Sequence, residues 1–428
     1  MNPGSGRRWL VRATAVVPGH EPPIRDGAVV VDETGTIIDV GRAAELAPEH
    51  AGAAHVEVRG ALLPGLINAH THLELSALRG KVTGGRGFVP WLQSFLGQRS
   101  AEPPEDDADA IDKAVSELDQ FGTTAVGDVT NTLTPARSLS RHRIGGSLFH
   151  ELFGLDRDRA LARLPEMREQ RRAIEAALSD DLVYAPAPHT LYTTHPDVVR
   201  ALIEAARAAG RRTSVHLAEH PAERSFLADR SGPFFELMMR MHLPADTFPI
   251  VHAGPVESAR QWNVLAPDVL LVHLTDARPE ELHMVASAGA PVVVCPRSNL
   301  FIEVKLPPLP EMLRAGIVPA LGTDSLASNA SLDVLLEARA LADRFPSIPP
   351  WMLLRMATDA GARALGRTDL GRFERGTKPG LLAVEGLLGA NDDPSAWILR
   401  QPRTARRWIA RRGDTPANAN ETGDKTAP

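Results

Sequence analysis

Cysteine is nearly absent from this chain of 428 residues: Cys295 stands alone. One thiol excludes an internal disulfide framework and any zinc site built on several thiolates, and it suits a reducing compartment. Lysine is almost as rare. Of 47 basic residues, only Lys81, Lys113, Lys305, Lys378 and Lys425 are lysines. Long apolar runs are missing too, and none approaches the roughly 20 residues of a membrane span. Positive charge is not in excess, with a formal net charge of −6. Nothing global draws such a chain to nucleic acid or to an anionic membrane. The pair Arg7-Arg8 faintly resembles an export signal, but Arg12 interrupts the apolar run and Pro18-Gly19 ends it. A cytoplasmic protein is the expectation.

What is present is an ordinary globular composition, 43% hydrophobic and 23% charged. Residues 1–60 read as short β-branched strands. Ala28–Val31 and Ile37–Val40 flank Asp32-Glu33-Thr34-Gly35, a hairpin-like turn. From residue 61, short apolar runs alternate with Ala/Arg/Glu-rich helical stretches, the texture of βα units. Strands are predicted near Leu62–Ile67, Thr123–Asp128, Gly146–Glu151, Leu182–Ala187, Thr213–Leu217, Val269–His273, Pro291–Cys295 and Val318–Gly322. Helices are predicted between most of them, at Ala108–Phe121, Leu161–Leu178, Pro196–Gly210 and Leu332–Arg344 among others. The fold class is therefore α/β: a (β/α)8 TIM barrel over 61–366, with a small discontinuous β-sandwich from residues 1–60 and 367–411. Residues 412–428 are poor in large apolar side chains and are predicted to be a disordered tail.

The chemistry gathers at the strand ends. The first proposed barrel strand runs into His70-Thr71-His72. Residues two apart in extended chain point to one side, so both imidazoles converge at the C-terminal mouth of a barrel. The fifth strand ends in His216, the sixth in His273, and the eighth leads into Asp324. One histidine at such a place is an ordinary core residue. Four histidines and an aspartate at the same end are not, and imidazole with carboxylate suits zinc or iron(II).

Four separated motifs, in order, resemble the amidohydrolase superfamily in its mononuclear deaminase and chlorohydrolase branch. They are His70-Thr71-His72-Leu73-Glu74-Leu75-Ser76, His216-Leu217-Ala218-Glu219-His220, Cys295-Pro296-Arg297-Ser298-Asn299 and Gly322-Thr323-Asp324-Ser325. Within that branch they are similar to aminofutalosine deaminases and cytosine-deaminase-like hydrolases. The resemblance implies that His70, His72, His216 and Asp324 bind one divalent metal, Zn2+ or alternatively Fe2+. It implies that Glu219 shuttles protons, that His273 orients the water, and that Asp324 also accepts the water's proton. Binuclear relatives bridge two metals with a lysine on the fourth strand. Leu182–His189 holds no lysine, so one metal is expected.

Several residues are candidates for reading substrate. His189 ends the fourth strand, Glu74 and Ser76 follow the first motif, and Trp91 offers an aromatic plane to a heterocycle. Trp91 could equally pack a helix start. Arg297 could pair with an anionic group or be structural, and Glu151, His220 and His252 are open between the two roles. Cys295 reads as a buried strand residue. The implied activity is deamination of an aminated nitrogen heterocycle, with a purine nucleoside derivative such as aminofutalosine favoured, through attack of metal-bound hydroxide and release of ammonia. A chlorohydrolase or N-alkyl amidohydrolase of triazine-like rings is the alternative, and a non-catalytic scaffold on the same fold is the remote one. The expected partner is a small heterocyclic substrate, with no nucleic acid and no membrane. The resemblance also suggests a homodimer.

Overall fold

A computed structural model describes residues 6–101 and 107–416. The chain divides into two compact units. One comprises the described residues of Met1–Ile67, Leu118–Thr124 and Asp333–Pro428; the other comprises those of Asn68–Glu117 and Ala125–Leu332.

The first unit is built on one six-stranded sheet. Its early strands are β1 (Trp9–Val16), β2 (Ile24–Val31), β3 (Ile37–Arg42) and β4 (Ala54–Leu63). The late strands Leu381–Glu385 and Arg406–Ala410 complete it, in the order Arg406–Ala410, Leu381–Glu385, β4, β1, β2, β3. Alternation explains its packing. Trp9, Val11, Val29 and Val31 bury one face with Val58, Phe373 and Ile409. Leu10, Ala28 and Val30 bury the other under Ala43 and Leu46. The turn at Asp32–Gly35 is present: the Asp32 carboxylate accepts from the Thr34 and Thr36 amides at 2.8 and 3.0 Å, and Gly35 takes a φ of 72°. Of the predicted tail, Arg412 pairs with Asp369 at 2.9 Å, and residues 417–428 lie outside the described residues.

The second unit is α/β with parallel sheets. Its strands are β5 (Leu66–His72), β6 (Thr123–Thr130), β7 (Gly145–Leu152), β8 (Leu182–Pro188), β9 (Thr213–Leu217), β10 (Val269–His273), β11 (Val292–Val294), β12 (Ala320–Leu321) and β13 (Asp324–Ser325). One sheet runs β13-β5-β6-β7-β8 and the other β12-β11-β10-β9. β6, β7, β9 and β10 are buried along their whole length. That is why they show no clean alternation of apolar and polar residues. A parallel bridge joins Thr190, just past β8, to His216 of β9.

Two strand boundaries differ from expectation, each for a local reason. The strand predicted at Leu62–Ile67 is really two, β4 and β5, parted by Pro64-Gly65. Proline gives no amide to a ladder. The break carries β5 forward, so His70 and His72 lie inside it rather than beyond it. The strand predicted at Val318–Gly322 is shorter, β12 alone, and past Gly322-Thr323 the chain forms a further short strand, β13, that the prediction did not include. A Cβ on Gly322 would stand 2.7 Å from the His70 Cβ and 2.8 Å from its carbonyl oxygen, so only glycine lets the chain pass there. The helix predicted over Leu161–Leu178 is broken into Arg157–Ala162, Leu164–Ile174 and a short 3-10 turn. Among the described residues no helix is long and apolar enough to cross a membrane.

Candidate metal centre and active site

Each polar side chain of the site is set by a strand end of the second unit. His70 and His72 share one side of β5, His216 belongs to β9, and Asp324 opens β13. Asp324 pairs in register with Thr71, which brings its carboxylate beside both β5 imidazoles. Its Oδ1 lies 3.8 Å from His70 Nε2 and 3.6 Å from His72 Nε2. The His72 and His216 Nε2 atoms face each other at 3.3 Å. The backbone accommodates this through left-handed conformations at non-glycine residues: φ is 50° at Ala218, 79° at His273, 49° at Leu274 and 57° at Asp324. Each costs on the order of 1–3 kcal/mol, and such strain concentrates where function over-determines the chain.

The donor set fits one cation. Two nitrogens on a tetrahedral zinc ion at about 2.0–2.1 Å lie roughly 3.3–3.4 Å apart, which is the His72–His216 separation. Both ring nitrogens of His70 are buried with no hydrogen-bond partner, a costly state that a ligated ion would relieve at Nε2, the nitrogen facing Asp324. His216 Nδ1 donates to the His189 carbonyl at 2.9 Å, leaving the Nε2 lone pair on the inner side. Burial and the neighbouring imidazoles push His72 well below the ordinary histidine range. Burial likewise pushes His216 down to about 4. Both are neutral and ready to ligate. Burial alone would raise the Asp324 carboxyl, but His70, His72 and His273 outweigh it and hold it well below the usual carboxylate range.

Asp324 is held from behind by hydroxyls. Ser298 donates to Oδ2 at 2.6 Å and Ser328 at 3.1 Å. The Ser325 amide donates to Oδ1 at 2.8 Å. The next residue of the third motif, Asn299, lays its amide nitrogen 3.3 Å from His273 Nδ1. In that arrangement His273 carries its proton on Nε2, which faces Glu219 Oε1 at 3.6 Å. Glu219, His273 and Asp324 are all buried, with donor atoms within 4.8 Å of one another. Burial first, then the charges of Asp324, Glu223 and Glu303, push the Glu219 carboxyl well above its ordinary range, so it holds a proton to give.

These groups floor a cavity of about 370 Å³. Its walls are apolar. Phe88, Trp91 and Phe95 come from the helix Phe88–Ala101, and Phe234 and Met238 from the helix Gly232–Arg240. Phe153 and Met241 are exposed at its edge, and Arg99 adds a guanidinium.

The remaining candidates are distributed unevenly. His189 and Trp91 line the cavity, and burial pushes His189 down to about 4. Glu74 reaches the cavity too, but its carboxylate is engaged by the Thr130 hydroxyl at 2.7 Å and by the Asn131 and Thr132 amides at 2.9 and 3.1 Å. It moors the chain after β6. Ser76 turns away and donates to the Leu73 carbonyl at 2.7 Å. Arg297 is half-buried and is not among the cavity-lining residues. In its motif the inward groups are Ser298 and Asn299. Those two, with Ser328 and Glu151, are what sequence reasoning left without a role. The signal available was their place at or shortly after the end of a buried strand. His220 lies outside the lining, stacked on Phe88 with ring centroids 3.7 Å apart. His252 contacts the Ala228 carbonyl at 3.1 Å, away from the cavity.

Residues 61–405 match the amidohydrolase family. The aminodeoxyfutalosine deaminase of Deinococcus radiodurans is 29% identical over 79% of this chain and 81% of its own. The 5-methylthioadenosine/S-adenosylhomocysteine deaminase of Halobacterium salinarum is 31% identical over 85% of this chain and 80% of its own. Among solved structures, Helicobacter pylori aminofutalosine deaminase in complex with methylthio-coformycin superposes with a TM-score of 0.81 at 24% identity. It covers 91% of this chain and 95% of that one. An adenosine deaminase from Xanthomonas campestris with bound zinc gives a TM-score of 0.77 at 25% identity, covering 98% of both chains.

Proposed function

The chain belongs to the amidohydrolase family of metal-dependent hydrolases, and we propose that it deaminates a 6-aminopurine nucleoside derivative, with aminofutalosine-like nucleosides favoured. The observation that carries this reading is the meeting, in one cavity, of a four-donor ring with a buried carboxyl and a buried imidazole. His70, His72, His216 and Asp324 would hold one zinc ion, with iron(II) the alternative for the same donors. Zinc in the Xanthomonas relative supports that choice. When bound, such an ion supplies a water that loses its proton near neutral pH.

The chain's own groups account for the rest. Asp324, tied by Ser298 and Ser328, keeps one oxygen aimed at the reacting side to take a proton. Glu219 enters protonated and delivers its proton to the ring nitrogen beside the attacked carbon. The attacked carbon becomes sp3, the proton Asp324 has taken passes to Glu219 and on to the amine, the carbon–nitrogen bond breaks, and ammonia leaves. His273 offers Nε2–H to the oxygen and faces Glu219 at 3.6 Å. The apolar walls exclude bulk water and suit a substituent greasier than a hydroxyl at the far end of the nucleoside. Relatives named for aminodeoxyfutalosine and 5-methylthioadenosine deamination support the same ring chemistry.

The architecture we propose is a closed (β/α)8 barrel. The Thr190–His216 bridge links β8 to β9, and β12 and β13 are parted by two residues while pairing with β11 and β5. Both support closure. The activity is tested by ammonia release from zinc-loaded enzyme across a panel of purine nucleosides and free purine and pyrimidine bases. Release from 6-aminopurine nucleosides, with the hypoxanthine product seen by absorbance, is expected. No ammonia from any of them refutes the reading.

A further inference from the structure

Glu151 is the penultimate residue of β7 and lies on the cavity wall. It is only 6% exposed, and its Oε1 is buried without a hydrogen-bond partner. The nearby polar groups are already committed. Asn131 Nδ2 gives its better bond to the Glu151 backbone carbonyl at 3.0 Å and reaches only Oε2, at 3.4 Å. His216 Nδ1 is 3.7 Å from Oε1, but its single proton points to the His189 carbonyl at 2.9 Å. Glu151 is therefore not the group that orients the His216 ring. Nor does His216 join it in a second cation site, because Nδ1 is spent on that carbonyl and Nε2 faces His72.

A buried carboxyl oxygen left without a hydrogen-bond partner is unfavourable. The donor has to come from what fills the cavity. Glu219 and His273, on the β9 and β10 side, engage the amidine edge that reacts. Glu151 stands on β7, parted from them by β8, and so meets a part of the substrate that does not react. His189 flanks the same space, with a ring nitrogen within 4.8 Å of the Glu151 carboxylate. A carboxyl oxygen without a partner beside an imidazole matches two adjacent hydroxyls, one bonded to Glu151 and its neighbour exchanging a hydrogen bond with His189.

We infer that Glu151 is the specificity-determining residue that reads the ribose diol of the nucleoside, an inference that rests on the nucleoside reading above. Glu151 does no chemistry in this role; it lowers KM for substrates that carry the diol. The test compares a 6-aminopurine ribonucleoside with its 2′-deoxy and 3′-deoxy analogues on zinc-loaded wild type, Glu151→Gln and Glu151→Leu. Steady-state kinetics are paired with calorimetric binding of the matching hypoxanthine nucleosides. In wild type, loss of one hydroxyl should cost about 10- to 100-fold, as expected for one charge-assisted hydrogen bond, mainly in KM and in product affinity. In Glu151→Leu the same pair should differ by less than about threefold. Equal handling of ribo- and deoxynucleosides by wild type overturns the inference without any variant having to fold. So does undiminished discrimination in both variants. Diol-dependent binding with no ammonia from any nucleoside would instead overturn the deaminase reading and support Glu151 as the diol reader.

Discussion

Replacing Ser298 with alanine removes one hydroxyl that touches no substrate, and it should still weaken the metal centre. Asp324 Oδ2 has two hydroxyl donors, Ser298 at 2.6 Å and Ser328 at 3.1 Å. The two serines are also 2.8 Å from each other. A hydrogen bond to a charged group contributes about 1.5–3 kcal/mol. Here Ser328 remains and is released from its bond to Ser298, so it offsets part of the loss. The net effect then falls to about 1–2 kcal/mol, or roughly 5- to 30-fold weaker metal binding at 1.4 kcal/mol per decade. That range overlaps the 10- to 100-fold typical of groups that orient a metal ligand. Titration of metal-free protein with zinc against a competing chelator measures it directly. Ser298→Thr, which keeps the hydroxyl, should stay near wild type, and thermal melting of the metal-free forms separates affinity from folding. Affinity within twofold of wild type in Ser298→Ala would refute the view that this hydroxyl sets the Asp324 carboxylate.

Other consequences are equally direct. Glu219→Gln should retain metal while kcat for deamination falls about 10²- to 10⁴-fold; near-normal turnover removes its proton-shuttle role. His72→Ala should emerge metal-poor on elemental analysis, and full occupancy would sink its assignment as a ligand. Burial holds the His150 imidazole down to about 4 against an ordinary 6.5. The unfolded chain therefore binds a proton that the folded one refuses, and stability that is whole above about pH 6.5 is lost as pH falls toward 4, by up to about 3 kcal/mol. His150→Gln should flatten the slope of unfolding free energy in that window, and unchanged slopes would count against it. In the first unit, Arg406 and Asp333 form an ion pair at 2.7 Å with both side chains at least 96% buried. Arg406→Ala should cost about 3 kcal/mol in denaturant unfolding, because it takes the cation from a buried carboxylate that keeps only hydrogen bonds such as that from the Leu335 amide; a loss under 1 kcal/mol would contradict this.

How much of this was legible in advance depends on how rare each residue type is. His70, His72, His216, His273 and Asp324 declared themselves because ionisable side chains seldom end buried strands, and here five do so together. The boundaries around them were harder to place. Pro64-Gly65 interrupts an apolar run that hydropathy alone reads as continuous, and at Gly322 the His70 backbone passes too close for a side chain. The residues that hold the ligands were nearly invisible. Serine, threonine and asparagine after a strand are ordinary turn and helix-start residues, so composition raises no flag at Ser298, Asn299 or Ser328.

Charge misdirects at the same place. Arg297 stood out in Pro296-Arg297-Ser298-Asn299 because a guanidinium is conspicuous. Those residues begin a helix, Pro296–Glu303, and successive helical residues turn by about 100°. One step along the chain therefore exchanges a half-buried position for a buried one that faces the Asp324 carboxylate. Period-two reasoning, sound for His70 and His72 in β5, has no purchase once the chain leaves the strand. Glu151 is the remaining case. Its position at a strand end could be read from the sequence, but its meaning could not, because a carboxyl oxygen lacking a donor is a property of its neighbours. Asn131 reaches the other carboxylate oxygen, Oε2, at 3.4 Å, and His216 Nδ1 stands 3.7 Å from Oε1. It is the direction of their protons, toward two backbone carbonyls, that leaves that oxygen for the ligand.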